Sequence, residues 1–263
     1  MIVGMEVEII TVGYEILEGE VLDTNSNWMA KRVAVTGNRL TRITVIEDDP
    51  GIIAEVLRST LKREPSLVLI SGGLGPTRDD LTLEGVSLAL DRELEEHPGA
   101  LEMVMARYRK IHADAPEEGL MTESRRKMAA IPRGSEPIPN PEGAAPGVMV
   151  TEGSTTVICL PGVPHELKGI FRDSVIPLLA KVESTRCRSM VIRGIGESAL
   201  APSLNRVMDE TDVEIRSYPG KNGIRLKILG ENVDGAMALL VDLLAEGVTF
   251  EEIVSAGDSE LEE

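Results

Sequence analysis

At 263 residues and 42% apolar content, the chain allows one large domain or a medium and a small one. Aromatics supply only 2%, so aliphatics and methionine must fill the core. A net charge of −17 argues against sequence-independent nucleic-acid binding and against an anionic membrane as partner, and two cysteines without a CxxC partner argue against a zinc site or a disulfide framework. With no leader and no apolar run of about 18 residues, the expected location is cytoplasmic.

Residues 6–12 (EVEIITV) read as an inner strand, and 24–36 as a helix that Asn25 or Ser26 can cap. Residues 39–46 alternate as a strand. Asp49-Pro50 opens the next helix, with Pro50 at its first position. Residues 67–71 form a third strand and 81–91 a third helix. This alternation predicts a parallel sheet with helices on both faces. The span 97–130 reads as mostly helical, broken near Ala115-Pro116. The span 131–147 is rich in Pro and Gly and reads as a shaped loop. Strands at 147–151 and 155–160 flank a Glu152-Gly153 turn, and Pro161-Gly162-Val163-Pro164 leads into a helix reaching about Lys181. The pattern then changes. A strand (187–193), a helix (197–209), a hairpin (213–217 and 223–229) and a last helix (233–246) predict a separate small α+β domain, followed by an acidic tail over 251–263.

The chemistry concentrates in Ser66–Glu84, SLVLISGGLGPTRDDLTLE: strand, glycine turn, adjacent carboxylates, helix. Glycines let backbone amides approach an anion, and a helix N-terminus favours one. Asp79 and Asp80 would repel a phosphate unless a divalent cation such as Mg²⁺ lies between them. No Gly-Lys-Ser/Thr follows, so this is not a Walker A loop. The third small residue of a Rossmann fingerprint is also missing. Asp80 is alternatively a helix cap. Gly13–Gly19, Glu47-Asp48-Asp49 and Pro161–Glu166 likewise fall after strands, where parallel sheets bind ligands. Asp48 facing Asp80 would share a Mg²⁺. The competing role for Asp48 is capping the helix at Pro50, and Asp49 competes for it. Glu15 is a further acid and His165 a candidate base. Arg125-Arg126-Lys127 either meets phosphates or is a solvated helix face. Gly194-Ile195-Gly196-Glu197-Ser198-Ala199 matches a dinucleotide fingerprint, but too little β-α-β chain follows it.

Several segments together resemble the N-terminal domain of the CinA (competence/damage-inducible) family, within the molybdopterin-binding group of MoaB and Mog. They are Val12–Gly19 with Asp23-Thr24-Asn25, Gly72–Thr82, Pro139–Gly147 and Leu160–Glu166. The resemblance implies a three-layer α/β/α fold over 1–182. It also implies a KH-like α+β domain over 183–250, opened by Gly194-Ile195-Gly196-Glu197-Ser198, and a homodimer. It implies a cleft for a nucleotide or pterin diphosphate and Mg²⁺-dependent hydrolysis of ADP-ribose to AMP and ribose 5-phosphate, with molybdopterin binding or adenylylation as the alternative. A non-catalytic nucleotide sensor is a third reading. By this resemblance Asp80 and Asp48 hold metal, with Asp79 beside them, and Glu84 lies one turn on. Gly72, Gly73, Gly75, Pro76 and Thr77 hold phosphate. Gly13, Glu15, Asn140, Gly143, Gly147, Pro161, Gly162 and Glu166 complete the walls. Tyr14 and Ala144 depart from the family pattern. No amidohydrolase domain follows, so pyridine-nucleotide deamidation is expected to be absent.

Overall fold

The computed structural model describes residues 4–111, 120–179, 187–244 and 248–253. Its contacts divide the chain into two units, Met1–Val182 and Glu183–Glu263.

The first unit begins β1 (Glu6–Val12), a one-turn α1 (Tyr14–Leu17), α2 (Thr24–Val35), β2 (Arg39–Ile46), α3 (Pro50–Leu61), β3 (Leu67–Ser71) and α4 (Thr82–Leu90). It continues with β4 (Leu94–Glu96), α5 (Pro98–Ile111), α6 (Glu123–Lys127), β5 (Ala130–Pro132), β6 (Glu136–Ile138), β7 (Gly147–Glu152), β8 (Thr155–Leu160) and α7 (Pro164–Ile170). A π-helical stretch, Phe171–Val175, prolongs α7. The main sheet has six strands in the order β2-β1-β3-β8-β7-β6. The first four are parallel; β7 alone runs against them, pairing antiparallel with both β8 and β6, so the sheet is mostly parallel.

Pleating sorts the strand residues between two cores. Ile10, Val12, Val68 and Ile70 point to the side of α3 and α4, where Ile53, Leu57 and Val86 lie. Val7, Ile9, Leu67 and Leu69 point to the side of α2 and α7, with Met29, Val33, Leu167 and Phe171. A central strand covered on both faces must be apolar at every position, which is why β3 reads LVLI without alternation. Cys159 in β8 is fully buried, and burial pushes its thiol up to about 12, so it packs as a small apolar residue. On the α2 side Trp28 meets Phe171 edge-on at 5.1 Å, with the buried Arg32 guanidinium 4.7 Å from the indole centre. Glu8, also buried, is held by the Arg63 Nε and Nη2 at 2.7 and 2.6 Å.

Several expectations are corrected. Asp23 caps α2, its carboxylate accepting from the Ser26 amide; neither Asn25 nor Ser26 does so. The span expected to be helix then loop contains β5 and β6, and β5 pairs with β4. The break near Ala115-Pro116 and the far end of the helix expected to reach Lys181 lie outside the described residues.

The second unit contains β9 (Cys187–Arg193), α8 (Glu197–Thr211), β10 (Glu214–Gly220), β11 (Gly223–Leu229), α9 (Val233–Leu243) and β12 (Thr249–Ile253). Its four strands pair antiparallel in the order β10-β11-β9-β12. Met190, Ile192, Leu226 and Ile228 meet Leu200, Leu204 and Leu240 of the helices. A dinucleotide fold requires parallel neighbours beside the strand that precedes the glycine turn; β9 has antiparallel ones, which ends that rival reading. Residues 251–253, expected in a frayed tail, belong to β12, and 254–263 lie outside the described residues.

Candidate functional site

β1 sits between β2 and β3, so the chain leaves β1 for one neighbour and returns past it to the other. Such a reversal opens a crevice at the carboxyl ends of the strands. A cavity of about 290 Å³ lies there, lined from β1 and its loop by Thr11, Gly13, Glu15 and Ile16, from the start of α2 by Asp23, Thr24 and Asn25, and from the other strand ends by Asp48, Ser71, Gly72, Gly73, Asp79, Asp80 and Gly162.

Local structure decides which acids face it. Asp49 places Oδ1 on the amides of Gly51 and Ile52 at 2.8 and 3.0 Å and caps α3. Asp48 is thereby released from capping, and its Oδ2 accepts from the Tyr14 amide at 2.9 Å. Asp80 is not a cap either: its Oδ2 accepts from the Thr77 amide (2.8 Å) and the Thr77 hydroxyl (2.5 Å), closing a tight loop ahead of α4. Burial pushes the Asp48 carboxyl above its ordinary value. The Tyr14 amide opposes this, and the negative charges of Glu15, Asp79 and Asp80 add to it. Asp79 is held below its ordinary value by the Thr77 hydroxyl, by its own backbone amide and by Lys127. The single Thr77 proton thus lies within reach of two carboxylates, and the hydrogen-bond geometry gives it to Asp80.

Gly72 and Gly73 line the cavity, and the glycines also shape the backbone around it. Gly72 has φ +104°, and a Cβ there would lie 2.1 Å from the Val12 carbonyl oxygen. Its missing side chain therefore lets β3 turn against the end of β1. Gly75 lies against Asp80, and neither it, Pro76 nor Thr77 lines the large cavity. Gly75 and Glu84 instead border a separate space of about 30 Å³ with Lys127, too small for a nucleotide. There the Lys127 Nζ donates to the Thr77 carbonyl at 2.7 Å and lies 3.8 Å from Glu84, bracing the acidic loop from behind. The basic cluster is otherwise spent on structure, with Arg125 stacked 3.8 Å from the Tyr108 ring centre and Arg126 paired to Glu96.

Asn140, Gly143, Gly147, Pro161 and Glu166 also lie outside the lining. Asn140 is a scaffold: its Oδ1 accepts from the amides of Glu142 and Gly143, and its Nδ2 donates to the Ala145 carbonyl and to Glu166. A Cβ on Gly143 would lie 2.0 Å from Glu166 Oε2. Gly147 packs against Cys159 and Ile138 at the start of β7. From this side only Gly162 and Pro164 reach the cavity, and the Gly162 carbonyl accepts from Asn25 Nδ2 at 2.7 Å. His165 does not line it. Conversely, sequence reasoning did not assign Thr11, Ser71, Ile16, Val21 or Leu22 to the site. Asp23 carried a readable signal, an acid directly before a helical pattern.

Among the described residues, no group of three or more His, Cys, Asp and Glu side chains converges on a single ion-sized point. A divalent cation fits the donor set all the same. Magnesium takes oxygen ligands, and one or two carboxylates suffice when water and phosphate complete the shell. Asp48 and Asp80 line one cavity; burial first, and then the charges of Glu15, Asp79 and Asp80, raise Asp48, and a cation there would offset both.

The architecture defines an α/β protein with an acidic cavity at the switch point of its sheet. The chain belongs to the probable molybdopterin binding domain family, the match covering residues 8–181. A protein of Pyrococcus abyssi is 37% identical over 255 residues, spanning 94% of this chain and 99% of its own. One from Aeropyrum pernix is 38% identical over 259 residues, spanning 96% and 93%. The crystal structure of the protein CinA, of unknown function, from Thermoplasma acidophilum superposes with a TM-score of 0.60 at 35% identity, covering 66% of this chain and 99% of that one. No helix among the described residues is long and apolar enough to cross a membrane.

Proposed function

We propose that the chain is a Mg²⁺-dependent nucleotide pyrophosphatase that hydrolyses ADP-ribose to AMP and ribose 5-phosphate. The reading is carried by one observation: Asp48, Asp79, Asp80 and Glu15 share a cavity of nucleotide scale, and among the described residues no lysine, arginine or histidine lines it. A diphosphate cannot enter such a place without a cation. Asp48 and Asp80 would hold the ion, with Asp79 beside them. When bound, it would neutralise the diphosphate and make its phosphorus more electrophilic. Tyr14 and Thr77 fix the carboxylates that face it. Water attacks one phosphorus, the bond from that phosphorus to the bridging oxygen breaks, and the two monophosphates leave.

The second reading, a molybdopterin binder or adenylyl-molybdopterin transferase, is favoured by the family description. The third, a nucleotide sensor without turnover, uses the same cavity. A cytoplasmic homodimer whose second unit is KH-like completes the proposal. Incubation with ADP-ribose and Mg²⁺ should yield AMP on chromatography, and Asp80→Ala should lower the rate about 100-fold or more. Tight pterin binding without AMP formation would favour the second reading, and nucleotide binding without turnover the third.

A further inference from the structure

The acids account for only part of the cavity. Thr11 and Ser71 are register partners at the ends of β1 and β3 and, by strand alternation, point to the α2 face. There Thr11 Oγ1 donates to Asp23 Oδ2 at 3.1 Å, and the Ser26 hydroxyl lies 2.6 Å from Thr11 Oγ1. Asp23 Oδ1 takes the Ser26 amide at 2.9 Å. Ser71 breaks the pattern. It is 1% exposed, lines the cavity, and its hydroxyl has no hydrogen-bond partner among the described residues. A buried hydroxyl without a partner is costly, and a ligand that completes the bond recovers that cost. The start of the 12-residue α2 borders the same space but is already occupied by the Asp23 carboxylate, and no cationic side chain among the described residues lines the cavity. A second anion is therefore disfavoured beside Asp23. A neutral group that both donates and accepts is favoured.

We infer that the α2 side of the cavity is a sugar-hydroxyl subsite, in which Ser71 Oγ and the Asp23 carboxylate bind hydroxyls of the distal ribose. The inference rests on the proposed function, since it assumes that the acids and their cation hold the diphosphate. It adds a basis for selectivity: a nucleoside diphosphate sugar is preferred to the bare nucleoside diphosphate. Ser71 and Asp23 bind and orient, and no bond of the sugar changes.

The test is calorimetric titration with Mg²⁺ and two probes that water cannot split, the methylene-bridged analogues of ADP-ribose and of ADP. The wild-type chain should bind the first about tenfold more tightly. Ser71→Ala should erase that preference, weakening the ADP-ribose analogue about tenfold and leaving the ADP analogue unchanged. It should also raise the Tm of the ligand-free protein, because an unpaired hydroxyl has gone. Asp23→Asn caps a helix as well as aspartate does and should erode the preference in the same way. If both variants keep the wild-type ratio while both probes still bind, the subsite is overturned and the pyrophosphatase reading stands. If neither probe binds the wild-type chain, that reading falls and the subsite with it.

Discussion

Asp49 sits on the amides of Gly51 and Ile52, so its neighbour Asp48 faces the cavity unopposed. The pair separates stability from chemistry. Asp49→Ala should lower stability by about 1 kcal/mol in urea unfolding and leave ADP-ribose turnover intact. Asp48→Asn should do the reverse. Because Asp48 is raised in the folded protein, the fold binds a proton at pH values where the unfolded chain has lost it, and stability falls as pH rises through that window. The asparagine keeps an oxygen for the Tyr14 amide and removes the penalty. Without divalent ions its Tm should exceed the wild-type value at pH 7, and the two should converge below about pH 4; equal values at pH 7 would contradict the electrostatic account. Sequence could name both aspartates as cap candidates but not choose, since one residue of phase decides it. Ser71 was invisible for a related reason: in a fully apolar strand, a terminal serine reads as the end of the run.

The Gly72–Asp80 loop is fixed by backbone geometry before any ligand is considered. Thr82 Oγ1 donates to the Gly72 carbonyl at 2.8 Å and ties the turn to α4. Gly72→Ala should cost about 2–4 kcal/mol, because a left-handed conformation and contact with the Val12 carbonyl are both imposed on a side chain; denaturant midpoints would show it. The long elements of this unit were legible because periodicity and caps agree over many residues, as in α3 with its proline at the first position. β4, β5 and β6 were not, since strands of three residues carry no period. The family resemblance made the loop built on Asn140 a wall of the site, while its Pro and Gly content marks a shaped turn without saying what shapes it. The answer is a single amide side chain with four partners.

The two units keep separate cores: Met190, Ile192, Leu200, Leu204, Leu226, Ile228 and Leu240 pack together and all belong to the chain beyond Val182. Calorimetry of the full chain should therefore resolve two unfolding transitions. Mg²⁺ with the methylene-bridged ADP-ribose analogue at 100 times its Kd should raise only one, by about 2.7 kcal/mol or roughly 5–10 °C. A single transition shifted as a whole would contradict this division. The boundary was readable in sequence as a change from β-α alternation to a hairpin, whereas the extent of β12 was not, because its acidic composition resembles a tail. The division also has an optical consequence. The chain has one tryptophan, and it lies on α2, whose first turn borders the cavity. Its emission colour and quenching thus report from a single half of the protein, without a dye, and leave the other half dark.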